Sequence, residues 1–129
     1  EALKIDPKLK EAWGNKGIAL GELGRYQEEL DAYDEALKID PKDIKAWHNK
    51  GIALGKLTRL DEALAAFDEV LKIDPKHTGA WNNKGFALGL LGRHQEALAA
   101  YEQALRLDPT DKTIPEIIAK IKEQIKSVK

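Results

Sequence analysis

The sequence repeats itself with a period of 34 residues. Tryptophan and proline both recur at this interval, at Trp13, Trp47 and Trp81 and at Pro7, Pro41, Pro75 and Pro109. A fixed period of this size is typical of proteins in which short helical units stack on one another. The period therefore constrains the fold more than any other feature of the chain.

Aligned on this period, the chain divides into three complete units and two flanking pieces. The units are residues 10–43, 44–77 and 78–111, and residues 112–129 form a C-terminal tail. Residues 1–9 read EALKIDPKL, and nearly the same text, EALKIDPKD, ends the first unit. We therefore expect residues 1–9 to be the end of a preceding truncated repeat, and the chain to be a segment of a longer array.

Composition argues against several classes of function. The formal net charge is −1, so the chain is not a generally basic nucleic-acid binder. No apolar run approaches the length that a membrane helix needs. Cysteine is absent, which removes disulfides, thiolate nucleophiles and thiolate metal sites and fits a reducing compartment. We expect a cytoplasmic protein with neither nucleic acid nor membrane among its partners.

The spacing of apolar residues within a unit predicts two helices. In the middle unit, one apolar stripe runs through residues 46–57, and a second runs through 60–71 at i, i+3, i+4 and i+7. Gly24 and Gly92 stand where the first helix must end in a left-handed residue, and Thr58 takes that place in the middle unit. An Asp-Pro pair ends each second helix, because the residue before proline is disfavoured in the α region. Each unit is therefore predicted to be a helical hairpin.

Neither helix of a hairpin can bury its apolar face alone, so the hairpins must stack. Small residues mark the places where helices approach closely, and an aromatic column fills the space beside them: Gly17, Gly51 and Gly85; Tyr33, Phe67 and Tyr101. The tryptophan column recurs in phase with the buried stripe. We therefore assign the tryptophans to the core rather than to ligand stacking.

These columns resemble the tetratricopeptide repeat family. Trp, Gly, an aromatic residue, Ala and Pro recur as they do in that family, over the whole chain except the tail. The resemblance implies an all-α fold, a right-handed superhelical α-solenoid of stacked antiparallel helix pairs. Two columns depart from the family pattern: Lys16, Lys50 and Lys84 replace a usual Leu, and Glu29 replaces a small residue in the first unit.

The tail, residues 112–129, is predicted to form a capping helix. Its isoleucines share one helical face, and Thr113 precedes the expected first turn. Ala119 falls in the column of small residues, so the helix would replace the first helix of a fourth unit. Its polar face mixes Glu with Lys and carries no aromatic anchor, which favours a cap over a membrane-surface helix. At the other end, Ala2, Leu3 and Ile5 should be partly exposed or dock on a second copy.

The resemblance also implies which side chains of the first helices face a concave groove. Its columns are Glu11, Lys45 and Gly79; Gly14, His48 and Asn82; Asn15, Asn49 and Asn83; Ile18, Ile52 and Phe86; Gly21, Gly55 and Gly89; and Glu22, Lys56 and Leu90. An Asn in every unit suits the main chain of an extended peptide, since each amide has donors and an acceptor. Alternatively, Asn is simply common in this column of the family. The Ile and Phe column would form an apolar strip, unless the adjacent unit covers it.

Two other modes of action find no support in the sequence. The family's two-carboxylate clamp needs Lys, Asn and Arg at places that here hold Gly14, Ile18, Asn49, Gly79 and Asn83. Only Asn49 fits, so we expect no useful affinity for acidic C-terminal tails. The three histidines show neither the i, i+4 spacing of a helical zinc site nor a catalytic constellation. We therefore expect no enzyme activity, metal or cofactor.

Three interpretations of function follow. The main prediction is a non-catalytic protein–protein interaction scaffold that binds an extended peptide segment in its concave groove. The first alternative is a substrate-recruiting or structural arm of a larger multidomain protein. The second is a self-associating array module, joined end to end through the truncated N-terminal helix.

Overall fold

The computed structural model describes residues 6–127, which contain seven α-helices. These are α1 (Pro7–Glu22), α2 (Tyr26–Ile39), α3 (Ile44–Lys56), α4 (Leu60–Ile73), α5 (Thr78–Leu90), α6 (His94–Leu107) and α7 (Ile114–Ser127). Successive helices pack on one another, and α3 also contacts α5. The chain is thus an all-α solenoid of three helical hairpins followed by a single helix. The expectation for Ala2, Leu3 and Ile5 lies outside the described residues.

The turn inside each hairpin uses a left-handed residue, as the sequence predicts. The φ angles are 76° at Gly24 and at Gly92, and 58° at Thr58. In the first turn, the N–H of Arg25 donates to the carbonyl of Leu20 at 2.9 Å, which closes a Schellman motif. Thr58 therefore adopts a conformation that a β-branched side chain disfavours.

The connections between hairpins combine a helix stop with a helix cap. Asp40 has an extended φ of −137°, as expected for a residue before proline. Asp43 then caps α3, because its side chain accepts a hydrogen bond from the N–H of Ala46. At the start of α5, Nδ1 of His77 accepts from the N–H of Ala80 at 3.0 Å. The imidazole of His77 therefore performs the capping that the Asp43 carboxylate performs one repeat earlier.

Glycines and aromatic rings pack the two helices of each hairpin together. A Cβ added to any of three glycines would lie 2.5–2.8 Å from the ring of the aromatic residue opposite. The pairs are Gly17 with Tyr33, Gly51 with Phe67, and Gly85 with Tyr101. Real Cβ atoms do not approach that closely, so the hairpins depend on the missing side chains. The predicted close contacts are confirmed.

The tryptophans lie at the boundary of the core, so their assignment to the core is right only in part. Trp47 is half-buried against apolar residues, and its Nε1 donates to the carbonyl of Pro41 at 2.7 Å. Nζ of Lys50 lies 5.3 Å from the centre of the same ring and 2.7 Å from Asp34 of the preceding hairpin. The same arrangement recurs in the next unit with Trp81, Pro75, Lys84 and Asp68. The unusual lysine column thus covers the indoles and links neighbouring hairpins.

Helix α7 caps the last hairpin. Ile114 and Ile121 are buried against α6, and other isoleucines of the same face pack beside them. Ala119 is exposed, although it falls in the column of the buried glycines. The reason is geometric: that column contacts the second helix of its own unit, and no such helix follows α7 in residues 6–127.

Candidate functional site

The first helices of the hairpins, α1, α3 and α5, form a concave surface that runs across all three units. Three adjoining depressions compose it. The first and second share Ile18 and Asn49 in their walls, and the second and third share Ile52 and Lys56. We call this continuous surface the groove. Its length is set by the stacking of the hairpins, which places equivalent residues of successive units side by side.

An apolar strip runs along the groove. Ile18 is 45% exposed, Ile52 36% and Phe86 61%, and Leu90 beside them is 58% exposed. The adjacent unit therefore does not cover these side chains, and the prediction that the strip faces solvent is confirmed. Exposed apolar side chains in a row are typical of a surface that binds a partner.

The predicted asparagine column lines the same surface. Asn15 and Asn49 lie in the wall of the first depression, and Asn83 lies in that of the third. Within residues 6–127, none of the three side-chain amides takes part in a hydrogen bond. Asn15 is exposed, and the other two are half-buried. Each unit thus presents one amide with its donors and acceptor unused.

Charges of both signs border the groove. Glu11 and Lys45 line the first depression, and Glu22 and Lys56 line the second. No ion pair joins Glu11 to Lys45, or Glu22 to Lys56, in the described part of the chain. Nζ of Lys56 instead lies 5.2 Å from the ring centre of Tyr26. Because the charges alternate, the groove has little net field to steer an acidic or basic ligand.

Two of the predicted groove residues, His48 and Asn82, lie apart from these depressions and are half-buried. The His48 ring stands 5.8 Å from the ring of Phe67 and 5.0 Å from that of His77, and its Nδ1 is buried without a partner. Burial, and secondarily His77, lowers the pKa of His48 below 6.5. The His48 ring also lies close to Gly79, where a Cβ would be in ordinary contact with Cε1 of His48 at 3.5 Å. Alignment by columns does not reveal such a local fit.

Glu29 is the residue that the sequence analysis missed as part of the site. It is only 5% exposed, yet it lines the second depression together with Ile18 and Ile52. Its Oε2 accepts a hydrogen bond from the Tyr33 hydroxyl at 2.8 Å, whereas its Oε1 is buried without a partner. Burial and the contact with Glu29 raise the pKa of Tyr33, so the hydroxyl remains a donor. The available signal was a charged residue in a column that otherwise holds Ala.

Residues 6–127 contain neither a metal-binding cluster nor a membrane-spanning helix. That range contains no group of three or more His, Cys, Asp or Glu side chains arranged to hold a metal ion. None of its helices combines the length and the apolar character needed to cross a bilayer.

Comparison with known proteins identifies the family. The fold and groove define a helical-repeat protein whose units are hairpins of 34 residues. One tetratricopeptide repeat profile matches residues 48–112, and a second matches residues 11–43. The first match alone spans half of the chain, so the protein belongs to the tetratricopeptide repeat family. A search of curated proteins found no match.

Solved structures share this fold along almost the whole chain. The first tetratricopeptide repeat domain of Spaghetti (RPAP3), bound to the HSP90 peptide SRMEEVD, has a TM-score of 0.90 at 22% identity, covering 96% of this chain and 98% of that one. The corresponding human RPAP3 domain has a TM-score of 0.87 at 24% identity, with coverage of 95% and 96%. The Arabidopsis OM64 domain has a TM-score of 0.84 at 25% identity, with coverage of 90% and 96%.

Proposed function

We propose that the protein is a non-catalytic interaction scaffold whose groove binds an extended peptide segment of a partner protein. One observation carries this proposal: three side-chain amides that make no hydrogen bond within residues 6–127 stand beside an exposed apolar strip on one continuous surface. An extended peptide can match both features, because its main-chain polar groups can pair with the amides and its side chains can pack on the apolar strip.

The asparagines supply the sequence-independent part of the binding. A side-chain amide donates through its NH₂ and accepts through its oxygen, so it can pair with one peptide unit of an extended main chain. Asn15, Asn49 and Asn83 repeat this contact once per unit, in register with the hairpins. The helices fix the backbone positions of the three asparagines, so only the amide side chains need to be ordered when a peptide binds.

The apolar strip supplies the hydrophobic part. Ile18, Ile52 and Phe86 expose surface that a partner's apolar side chains can cover. Glycines beside the strip, at Gly55 and Gly89, have no other atoms within 4 Å of where a Cβ would stand. A ligand backbone can therefore approach the helices closely at these places.

The structural comparison supports a peptide as the class of partner. The Spaghetti domain, which has a TM-score of 0.90 to this chain, is bound to an HSP90 peptide. That likeness concerns the fold, and the side chains that select a ligand differ among proteins with the same scaffold. The partner's sequence is therefore left to selection experiments.

A phage-displayed library of random peptides, selected on the intact protein, tests the proposal. Asn49→Ala should weaken binding of the selected peptides about tenfold, because a ligand group would lose its hydrogen-bond partner. Ile52→Ala should weaken it by a similar factor through lost apolar burial. Fluorescence anisotropy with synthetic peptides measures both effects.

Matched controls separate groove contacts from general damage. Gln95→Ala removes an exposed amide from α6, and Leu23→Ala removes an apolar side chain that is 70% exposed in the first hairpin turn. Both should bind the selected peptides as the unmodified protein does. Equal affinity of the Asn49 and Ile52 variants with these controls would refute the groove as the binding site.

The remaining interpretations stay predictions. End-to-end association through residues 1–9 is checked by sedimentation velocity over a range of concentrations, where an unchanging monomer would contradict it. A recruiting arm of a larger multidomain protein and a cytoplasmic location are likewise carried forward from the sequence as predictions.

A further inference from the structure

The groove contains a buried carboxylate that the proposed peptide contacts leave unused. Glu29 is the buried charged side chain among residues 6–127, at 5% exposure. The matching positions of the other two units hold Ala63 and Ala97, which are both fully buried. A carboxylate in a column of alanines calls for a physical explanation, because burial of a charge is costly unless partners surround it.

The contacts of Glu29 satisfy only half of its carboxylate. Oε2 accepts from the Tyr33 hydroxyl at 2.8 Å, and Oε1 is buried without a hydrogen-bond partner among the residues that the structure describes. Gly21 lies directly opposite, where a Cβ would come within 2.6 Å of Oε2 and 2.8 Å of Oε1. At Gly55 and Gly89, the matching glycines, that space is empty. The first unit therefore differs from the others by a carboxylate held in this gap.

The carboxylate borders the second depression of the groove. That depression is lined by Glu29 together with Ile18, Asn49 and Ile52, which are the residues proposed to hold the peptide. A peptide that fills this depression would therefore lie against Glu29.

The chemistry of the gap selects a cationic donor. An ionised carboxylate only accepts hydrogen bonds, and the Tyr33 hydroxyl already occupies one oxygen. Lys56 lines the same depression but forms no ion pair with Glu29 in the described part of the chain, and its Nζ lies over the Tyr26 ring. Glu22 adds a second negative charge to the rim. A charged donor gains more from such an acceptor than a neutral amide does.

We infer that Glu29, positioned by Tyr33, forms a subsite for a basic side chain, Lys or Arg, of the extended peptide. This inference rests on the proposed function of the groove. It gives the ligand a definite feature: one basic residue next to the segment that packs on Ile18 and Ile52.

Peptide selection on charge variants tests the subsite. Peptides selected on the unmodified protein should carry Lys or Arg at one fixed position. Glu29→Gln keeps the shape of the side chain and removes its charge. This variant should abolish the preference for Lys or Arg and leave the preferences at other peptide positions unchanged. A selected peptide should bind this variant about tenfold more weakly. Replacing the basic residue of the peptide with norleucine should cost about tenfold on the unmodified protein and almost nothing on Glu29→Gln.

A second pair of variants guards against loss of folding. Glu29→Ala combined with Tyr33→Phe reproduces the Ala63 and Phe67 pair of the middle unit, which packs without a carboxylate. Conversely, Ala63→Glu combined with Phe67→Tyr places the same carboxylate beside the open space at Gly55. The first double variant should lose the basic preference. The second should select peptides with a basic residue at a new position, displaced along the peptide by the length of one repeat unit. Circular dichroism verifies that each variant is folded.

The outcomes separate this inference from the function on which it rests. Peptides that bind through Asn49 and Ile52 without any basic preference would overturn the Glu29 subsite alone. Equal affinity of Glu29→Gln for the basic and norleucine peptides, combined with a large difference on the unmodified protein, would support it. Failure of the unmodified protein to select any peptide would overturn both proposals.

Discussion

Replacing Thr58 with glycine should stabilise the protein. Thr58 has a φ of 58° at a place where the other two hairpins use Gly24 and Gly92 at 76°. A left-handed conformation destabilises a residue that has a Cβ by about 1–2 kcal/mol. A β-branched side chain increases this destabilisation. Glycine removes that cost but loses about 0.5–1 kcal/mol more backbone entropy on folding. The hydroxyl bond to the carbonyl of Leu57, at 2.6 Å, is exposed and contributes little.

The balance predicts a net gain of about 0.5–1 kcal/mol in the free energy of unfolding for Thr58→Gly, or roughly 2–4 °C in Tm. Urea denaturation followed by circular dichroism measures the first quantity, and a thermal melt measures the second. Gly92→Thr is the matched reverse variant, since it introduces the same residue into the third hairpin and should lower stability by a similar amount. Unchanged or reduced stability of Thr58→Gly would show that the turn is not strained by its side chain.

Three further predictions concern acidity, the buried carboxylate and ligand charge. Burial and His77 lower the pKa of His48 below 6.5, so on acidification the unfolded chain takes up a proton before the folded chain does. The free energy of unfolding should therefore decrease as the pH falls from about 6.5 towards the pKa that His48 has in the folded protein. His48→Asn should reduce this slope in melts at several pH values, and an identical slope would contradict the assignment. Tyr33→Phe alone should lower the free energy of unfolding by about 1–2 kcal/mol, because it leaves both Glu29 oxygens without donors. Adding Glu29→Ala to this variant should recover the lost stability. Urea denaturation checks both variants, and a Tyr33→Phe protein of full stability would be inconsistent with the contact. Titration calorimetry with the acidic peptide SRMEEVD should show no useful affinity, because the family's basic clamp positions are unoccupied by Lys or Arg here; micromolar binding would show this reasoning to be wrong.

The repeat period made most of the fold predictable. Helix stops at Asp-Pro pairs, left-handed residues at Gly24, Thr58 and Gly92, and glycines opposite aromatic rings all follow from local rules that act in every unit. Periodicity makes each rule visible several times, so one irregular unit does not hide it. The exposure of Ile18, Ile52 and Phe86 was predictable from the resemblance to the tetratricopeptide repeat family, which implies that this column faces the groove.

Features that depend on a single non-repeated residue were not predictable in the same way. The column containing His48 predicts a groove side chain, but its ring is half-buried beside the rings of Phe67 and His77, contacts that the column does not show. Each tryptophan is half-buried with a lysine Nζ over its ring, and the sequence shows a lysine column without showing where it lies. The role of Glu29 depends on distances to Tyr33 and Gly21 that no spacing encodes.

Chemical-shift mapping with a selected peptide tests the central claim most directly. The side-chain amide signals of Asn15, Asn49 and Asn83 can be followed by NMR during a titration, with those of Gln95 on α6 as an internal reference. We predict that the three asparagine signals shift together with the backbone amides around Ile18, Ile52 and Phe86, while Gln95 does not move. Shifts confined to the second helices or to α7, with the asparagines unaffected, would contradict a peptide-binding groove.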